Sequence, residues 1–239
     1  MSDNTPTAIL VHGAFADGSS WGRVIDRLRA EGVDAIAVSN PLRGLAHDGD
    51  YVAAVAGQVD GPVVLVGHSY GGPVITHAGA KAPNVKALVY VASFGIDTGE
   101  SALGSVEPFP PVELGTSLAP QQFPDGEGTD TEFTIRRDAF PSVFAADLPA
   151  EFTATAAATQ RPIAARALAE PLAVEPAWKT LPSWFAVATE DNAIHPDSQR
   201  AAAKRLGATT VEVRGSHAIA VSRPDEVAAL VLAAVRAVA

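Results

Sequence analysis

The chain has 239 residues, 47% hydrophobic and 18% charged, a globular composition large enough for one substantial core. Its net charge of −10 contains no block of like sign, so a phosphate backbone is repelled and nucleic acid is not an expected partner. No cysteine is present, which excludes disulfides, thiolate metal sites and a cysteine nucleophile.

"MSDNTPTAILVHG" lacks a basic region followed by an apolar stretch, so no secretory signal is read there. No apolar run approaches the ~20 residues that span a bilayer. A soluble cytoplasmic protein without a membrane partner is the expectation.

Residues 7–13, "TAILVHG", form an apolar strand ending at glycine. Residues 19–32, "SSWGRVIDRLRAEG", space Trp21, Val24, Ile25 and Leu28 helically and stop at Gly32. A strand at 33–39, a helix at 48–61, a buried strand "PVVLVGH", a helix at 71–83 and a strand at 85–93 follow. Continuous apolar strands alternating with helices predict a parallel sheet covered on both faces. The alternation stops near residue 97. From Asp97 to Pro176 there are ten prolines, scattered phenylalanines and helical pieces such as "TATAAATQRPIAARALAE", with no convincing strand. It resumes with a strand at 183–189, a helix at 196–207, a strand at 208–214 and a helix at 223–238. The expected organisation is an α/β core, 1–96 and 177–239, interrupted by a helical cap, 97–176.

"GHSYGG" places Ser69 where a buried strand meets a helix. It matches the Gly-x-Ser-x-Gly nucleophile elbow, in which a tight turn lifts a serine hydroxyl above the sheet edge and glycines avoid collisions. The following helix points its N-terminal amides at the same place, which favours a developing negative charge. Such a serine needs a base and a group that orients the base, in the chain order Ser, Asp or Glu, His. His12 and His68 sit at strand ends and read as structural hydrogen-bonders. His47 and His77 do not follow a late strand, and His195 is too close to the candidate acid. His217, between the last strand and the last helix, is the expected base. Asp191, at the end of strand 183–189, is the expected acid, on the rim where open α/β sheets bind ligands. Its neighbour Glu190 and Asp97, after the strand at 85–93, are the rivals. "LVHGAF" provides the remaining part: the amide of Ala14, or of Phe15, with that of Tyr70 would form the oxyanion hole.

Four stretches in order, "LVHGAFADGSSW", "GHSYGG", "ATEDNAIHP" and "GSHAIAVSRP", resemble the α/β-hydrolase superfamily. The similarity is greatest to the branch of plant methylesterases and hydroxynitrile lyases and their bacterial relatives. It implies an α/β-hydrolase fold with a mostly parallel central sheet flanked by helices and a mobile helical cap. It also implies a Ser69–Asp191–His217 triad and an oxyanion hole on Ala14 and Tyr70. The lyases of the branch carry a threonine in place of the loop glycine and a lysine after the catalytic histidine. This chain has Gly13 and Ala218, as the esterases do. An aspartate at the elbow, as in epoxide hydrolases and haloalkane dehalogenases, is absent.

The expected activity is serine hydrolysis of a small to medium uncharged carboxylic ester or lactone through an acyl-enzyme, with no metal or organic cofactor. A perhydrolase or C–C bond hydrolase using the same triad is one alternative, and a non-catalytic hydrolase-like receptor another. Phe133, Ile135, Phe140, Val143, Phe144, Leu148 and Phe152 give the cap its apolar area, most of it for packing. Phe15, Phe140 and Phe144 are the expected substrate contacts. The chain is expected as a monomer or homodimer.

Overall fold

The structure, a computed structural model, describes residues 5–239. Residues 1–4, the start of the expected core and of the stretch read for a signal, lie outside the described residues.

The first half alternates without exception: β1 (Thr7–Val11), α1 (Gly22–Ala30), β2 (Ala35–Val38), α2 (Leu45–Ala56), β3 (Val63–His68), α3 (Gly71–Lys81) and β4 (Val85–Val91). An excursion follows: α4 (Ala102–Val106), α5 (Leu114–Ser117), β5 (Leu118–Asp125), β6 (Gly128–Ile135), α6 (Phe140–Phe144), α7 (Ala150–Thr159), β7 (Ile163–Ala164) and α8 (Ala165–Ala169). The chain then returns through β8 (Ser183–Ala188), α9 (Pro196–Arg205), β9 (Thr209–Val213), α10 (Ile219–Ser222) and α11 (Pro224–Val238).

Six strands form one parallel sheet in the order β2-β1-β3-β4-β8-β9. Its central strand β3 is buried along its whole length, and alternate residues of the central strands enter two different cores. Ile9, Val11, Val63 and Leu65 face a core shared with α2, α3 and the excursion. Ala8, Leu10, Val64 and Val66 face Trp21, α1 and α11. Both faces are therefore covered by helices, as the apolar strand runs require.

The excursion departs from the purely helical reading of 97–176. It also holds an antiparallel sheet in the order β5-β6-β7. Prolines 120 and 124 argue against a strand, but both lie on β5, the sheet's edge, where a missing N–H is tolerated. The hairpin turns at Gly126-Glu127, with Gly126 at φ 59°. Among the described residues no helix is long and apolar enough to cross a membrane.

Candidate active site

Ser69 lies between β3 and α3 with φ 53°, the left-handed region that a non-glycine residue adopts only under constraint. The constraint is visible on both sides. Its N–H donates to Val91 O at 3.0 Å, and its carbonyl accepts from Ser93 Oγ at 2.5 Å and from Gly72 N at 2.9 Å. The elbow leaves no space for side chains: a Cβ on Gly67 would stand 2.4 Å from Gly71 O, and one on Gly71 2.4 Å from Val11 O.

The loop after β9 brings His217 to the same end of the sheet. His68 Nε2 lies 2.9 Å from His217 O. A carbonyl only accepts, so this nitrogen carries the proton. The two rings are 4.7 Å apart. Burial, reinforced by the nearby His217, holds the His68 pKa well below its ordinary value, so His68 is a neutral strut. His217 Nδ1 meets Asp191 Oδ2 at 2.7 Å, with both side chains almost fully buried. Among the described residues, Ser69 Oγ makes no hydrogen bond to the ring. Such contacts are often long in unliganded enzymes and tighten with substrate bound.

The rival acids lie elsewhere. Glu190 turns outward to Arg214 at 2.8 Å. Asp97 pairs with Lys179 at 2.8 Å on the surface. The other histidines have separate roles. His12 accepts from Asn40 N at 3.1 Å, and burial lowers its pKa. His47 and His77 pair with Asp48 and Asp50. His195 caps α9.

The first loop presses on Ser69. A Cβ on Gly13 would stand 2.6 Å from Ser69 Cβ and 2.8 Å from His68 O. Of the two amides expected after β1, that of Phe15 donates to Arg161 O at 3.1 Å. Among the described residues, no backbone acceptor outside helices and strands takes the amides of Ala14 or Tyr70. The Tyr70 side chain is fixed by a buried hydrogen bond from its hydroxyl to Asp48 at 3.0 Å.

Phe140 and Phe144 are buried and stacked at 5.0 Å, and the Phe144 ring meets the His217 ring edge-on at 5.0 Å. Phe144 O accepts from Ala218 N at 3.0 Å, and Asp147 accepts from Ser216 Oγ at 2.5 Å. Burial alone would raise the Asp147 pKa, but hydrogen bonding, led by Ser216, outweighs it and holds it below the usual value. The excursion thus grips both neighbours of His217. Phe15, Phe140 and Phe144 also line a cavity of about 290 Å³ with Phe152, Ala218 and Val221, rimmed by Asp17, Arg23 and Asp26. An open groove of about 1050 Å³ beside Arg43, Phe123 and Arg166 includes none of these groups. Its cations are neutralised by Glu132 at 2.6 Å and Asp130 at 3.2 Å. Among the described residues no group of three or more His, Asp or Glu side chains is arranged to hold a metal.

Sequence reasoning passed over Gln199, Ser93 and Asp147. Ser93 and Asp147 act through contacts with segments distant in the chain, and Gln199 through the strand end and loop that precede its own helix; none carries a local motif.

The chain is 29% identical over 123 residues to a carbendazim-hydrolysing esterase of Nocardioides sp. strain SG-4G. That match spans 46% of this chain and 51% of the relative, about half its length. A pyrethroid hydrolase from Sphingobium faniae JZ-2 superposes with a TM-score of 0.80 at 23% identity, over 97% of this chain and 98% of that one. A methylesterase from Arabidopsis does so with a TM-score of 0.75 at 19% identity, over 97% and 99%. At these identities the likeness is one of fold. The sequence pattern of the alpha/beta hydrolase family matches residues 8–230, running through the elbow and the Asp191 and His217 loops alike. On that match the chain belongs to the alpha/beta hydrolase family.

Proposed function

We propose that the chain is a serine hydrolase that cleaves a small to medium uncharged carboxylic ester or lactone. The observation that carries this reading is the strained Ser69 turn held one residue from His68, whose ring lies against a His217 already bonded to buried Asp191.

Ser69 Oγ attacks the ester carbonyl as His217 Nε2 takes its proton. Asp191 accepts from Nδ1, so the attacking side of the ring is the unprotonated one, and its charge stabilises the imidazolium. The amides of Ala14 and Tyr70 hold the tetrahedral oxyanion. Collapse expels the alcohol with the proton from His217, leaving an acyl-Ser69 ester. Water then attacks the acyl carbon as His217 takes its proton, and collapse breaks the acyl–Oγ bond with His217 returning that proton to Ser69 Oγ as the acid is released. The residues named serve every step without a metal or organic cofactor.

The phenylalanine-walled cavity favours an apolar substituent, and its charged lining, Asp17 and Asp26 against the single cation Arg23, is net acidic. An esterase acting on carbendazim and a hydrolase acting on pyrethroids share the fold or part of the sequence, which supports ester-like substrates. A panel of p-nitrophenyl esters of increasing acyl length, run beside lactones and aryl diketones, tests the reading. Preferential ester or lactone turnover supports it. Faster diketone cleavage, or tight binding with no turnover of any substrate, overturns it.

A further inference from the structure

The Asp191 carboxylate accepts four hydrogen bonds, and one comes from a side chain the mechanism above does not use. Oδ1 takes the amides of Ala193 and Ile194 at 2.7 and 2.9 Å. Oδ2 takes His217 Nδ1 at 2.7 Å and Gln199 Nε2, also at 2.7 Å. Gln199 lies on α9, and its solvent exposure is 0%.

The orientation of that amide is determined by its partners. Gln199 Oε1 accepts from Ala188 N, the last residue of β8, at 2.9 Å. Nε2 also donates to Ile194 O at 2.9 Å. Only a carbonyl oxygen can serve the backbone N–H, and only an NH₂ group can serve a carboxylate and a carbonyl. Gln199 therefore ties the strand end, the loop and the acid together with all its polar atoms used. Burying so polar a side chain is unfavourable unless each bond is made.

The residue type matters. A lysine or arginine would cancel the charge that stabilises the imidazolium. A carboxylate would repel Asp191. A leucine would leave Oδ2 with His217 as its one donor, and the two amides on Oδ1 would then hold the carboxylate without support on its other oxygen. We infer that Gln199 is a positioning residue: it fixes the Asp191 carboxylate so that Oδ2 faces His217 Nδ1 without neutralising it. This rests on the reading that Asp191 orients His217.

Among the described residues, the nearby charged groups have partners of their own. On α9, Asp197 and Arg200 pair with each other, and Arg200 continues to Glu212 on β9. His195 accepts from Asp197 N at the helix start. Glu190 is held by Arg214, and His68 on β3 is kept neutral by burial.

The test uses the full chain and a neutral aryl ester, with kcat and KM measured from pH 5.5 to 9.5 for Gln199→Leu, Gln199→Glu and Asp191→Asn. Losing a hydrogen bond to a charged group costs about 1.5–3 kcal/mol, so Gln199→Leu should lower kcat by roughly 10- to 100-fold and leave KM within about twofold. Gln199→Glu is the decisive variant. Two carboxyls sharing one site raise one pKa strongly. While protonated, the introduced carboxyl can donate to Asp191 and accept from Ala188 N, so activity should exceed that of Gln199→Leu. As that proton leaves, activity should fall, giving an alkaline limb that the parent chain lacks. The downfield proton resonance of the His217–Asp191 bond should broaden or move in Gln199→Leu. If Gln199→Leu fails to fold, the near-isosteric Gln199→Glu and its alkaline limb decide alone. A parental pH profile and resonance in the Gln199 variants, with Asp191→Asn strongly impaired, overturns the role of Gln199 and leaves the triad standing. Parental activity in Asp191→Asn overturns the triad reading itself.

Discussion

Asp191 Oδ2 and His217 Nδ1 meet at 2.7 Å, although 26 residues separate them and each comes from a loop at the end of a different strand. Asp191→Asn keeps the shape but offers an amide where an acceptor is needed, which favours the wrong tautomer. It should lower kcat by roughly 10⁴-fold. Glu190→Gln and Asp97→Asn, which touch surface cations instead, should each stay within a few-fold of the parent. A larger loss from either, with the fold intact by circular dichroism, would reassign the acid.

Ser69 should be the one residue labelled by a fluorophosphonate probe. Ser69→Ala should abolish labelling and reduce turnover by roughly 10⁶-fold, as loss of the nucleophile does in a related triad. Intact-mass analysis reads the adduct directly. Equal labelling of the variant would remove Ser69 from the mechanism.

Gly13 touches Ser69, and Ala218 offers no cation beside His217. The chain should therefore hydrolyse a simple aryl ester and release no cyanide from mandelonitrile above background. Cyanide release at a rate comparable to ester turnover would contradict the assignment. Gly13→Thr should be strongly impaired for esters too, because its Cβ needs the loop or Ser69 to shift.

Burial keeps the pKa of His68 well below 6.5, and that of His12 is lowered too. In the unfolded chain both titrate near 6.5, so below that pH the unfolded state binds more protons. Stability should then fall with acidification, by up to about 1.4 kcal/mol per pH unit for each such histidine. The window is from pH 6.5 downward to about 5, above the range of the surface carboxylates. Urea melts across it should show a shallower dependence for His68→Gln, which keeps a donor for His217 O. Parallel pH dependences for the two proteins would count against a neutral buried His68.

Phe144→Ala removes a ring packed against both His68 and His217. A cavity of that kind costs ~3–5 kcal/mol. The melting midpoint should fall, and kcat should fall more than KM rises, because the base loses a wall while the cleft only widens. An unchanged kcat would place Phe144 in packing alone.

The amino-acid sequence determines by itself the features that depend on near neighbours. The strand and helix alternation, the doubly buried strands and the glycine-flanked Ser69 turn are all local patterns, and the sheet follows them. Tertiary structure decides the rest. Glu190 and Asp191 are adjacent carboxylates at one strand end, and no local rule says which turns inward. Arg214 takes one and His217 the other. Phe15 and Ala14 both offer an amide after β1, and only the approach of Arg161 commits one of them. The β5–β6 hairpin is hidden by prolines that an edge strand tolerates, and a strand becomes an edge only once the sheet around it exists. Gln199 reads as an ordinary polar helix residue until α9 folds against β8 and buries it on Asp191. In each case the deciding partner comes from a segment distant in the chain or from packing that forms only on folding, so the choice is made by long-range contact and leaves no pattern in the local sequence.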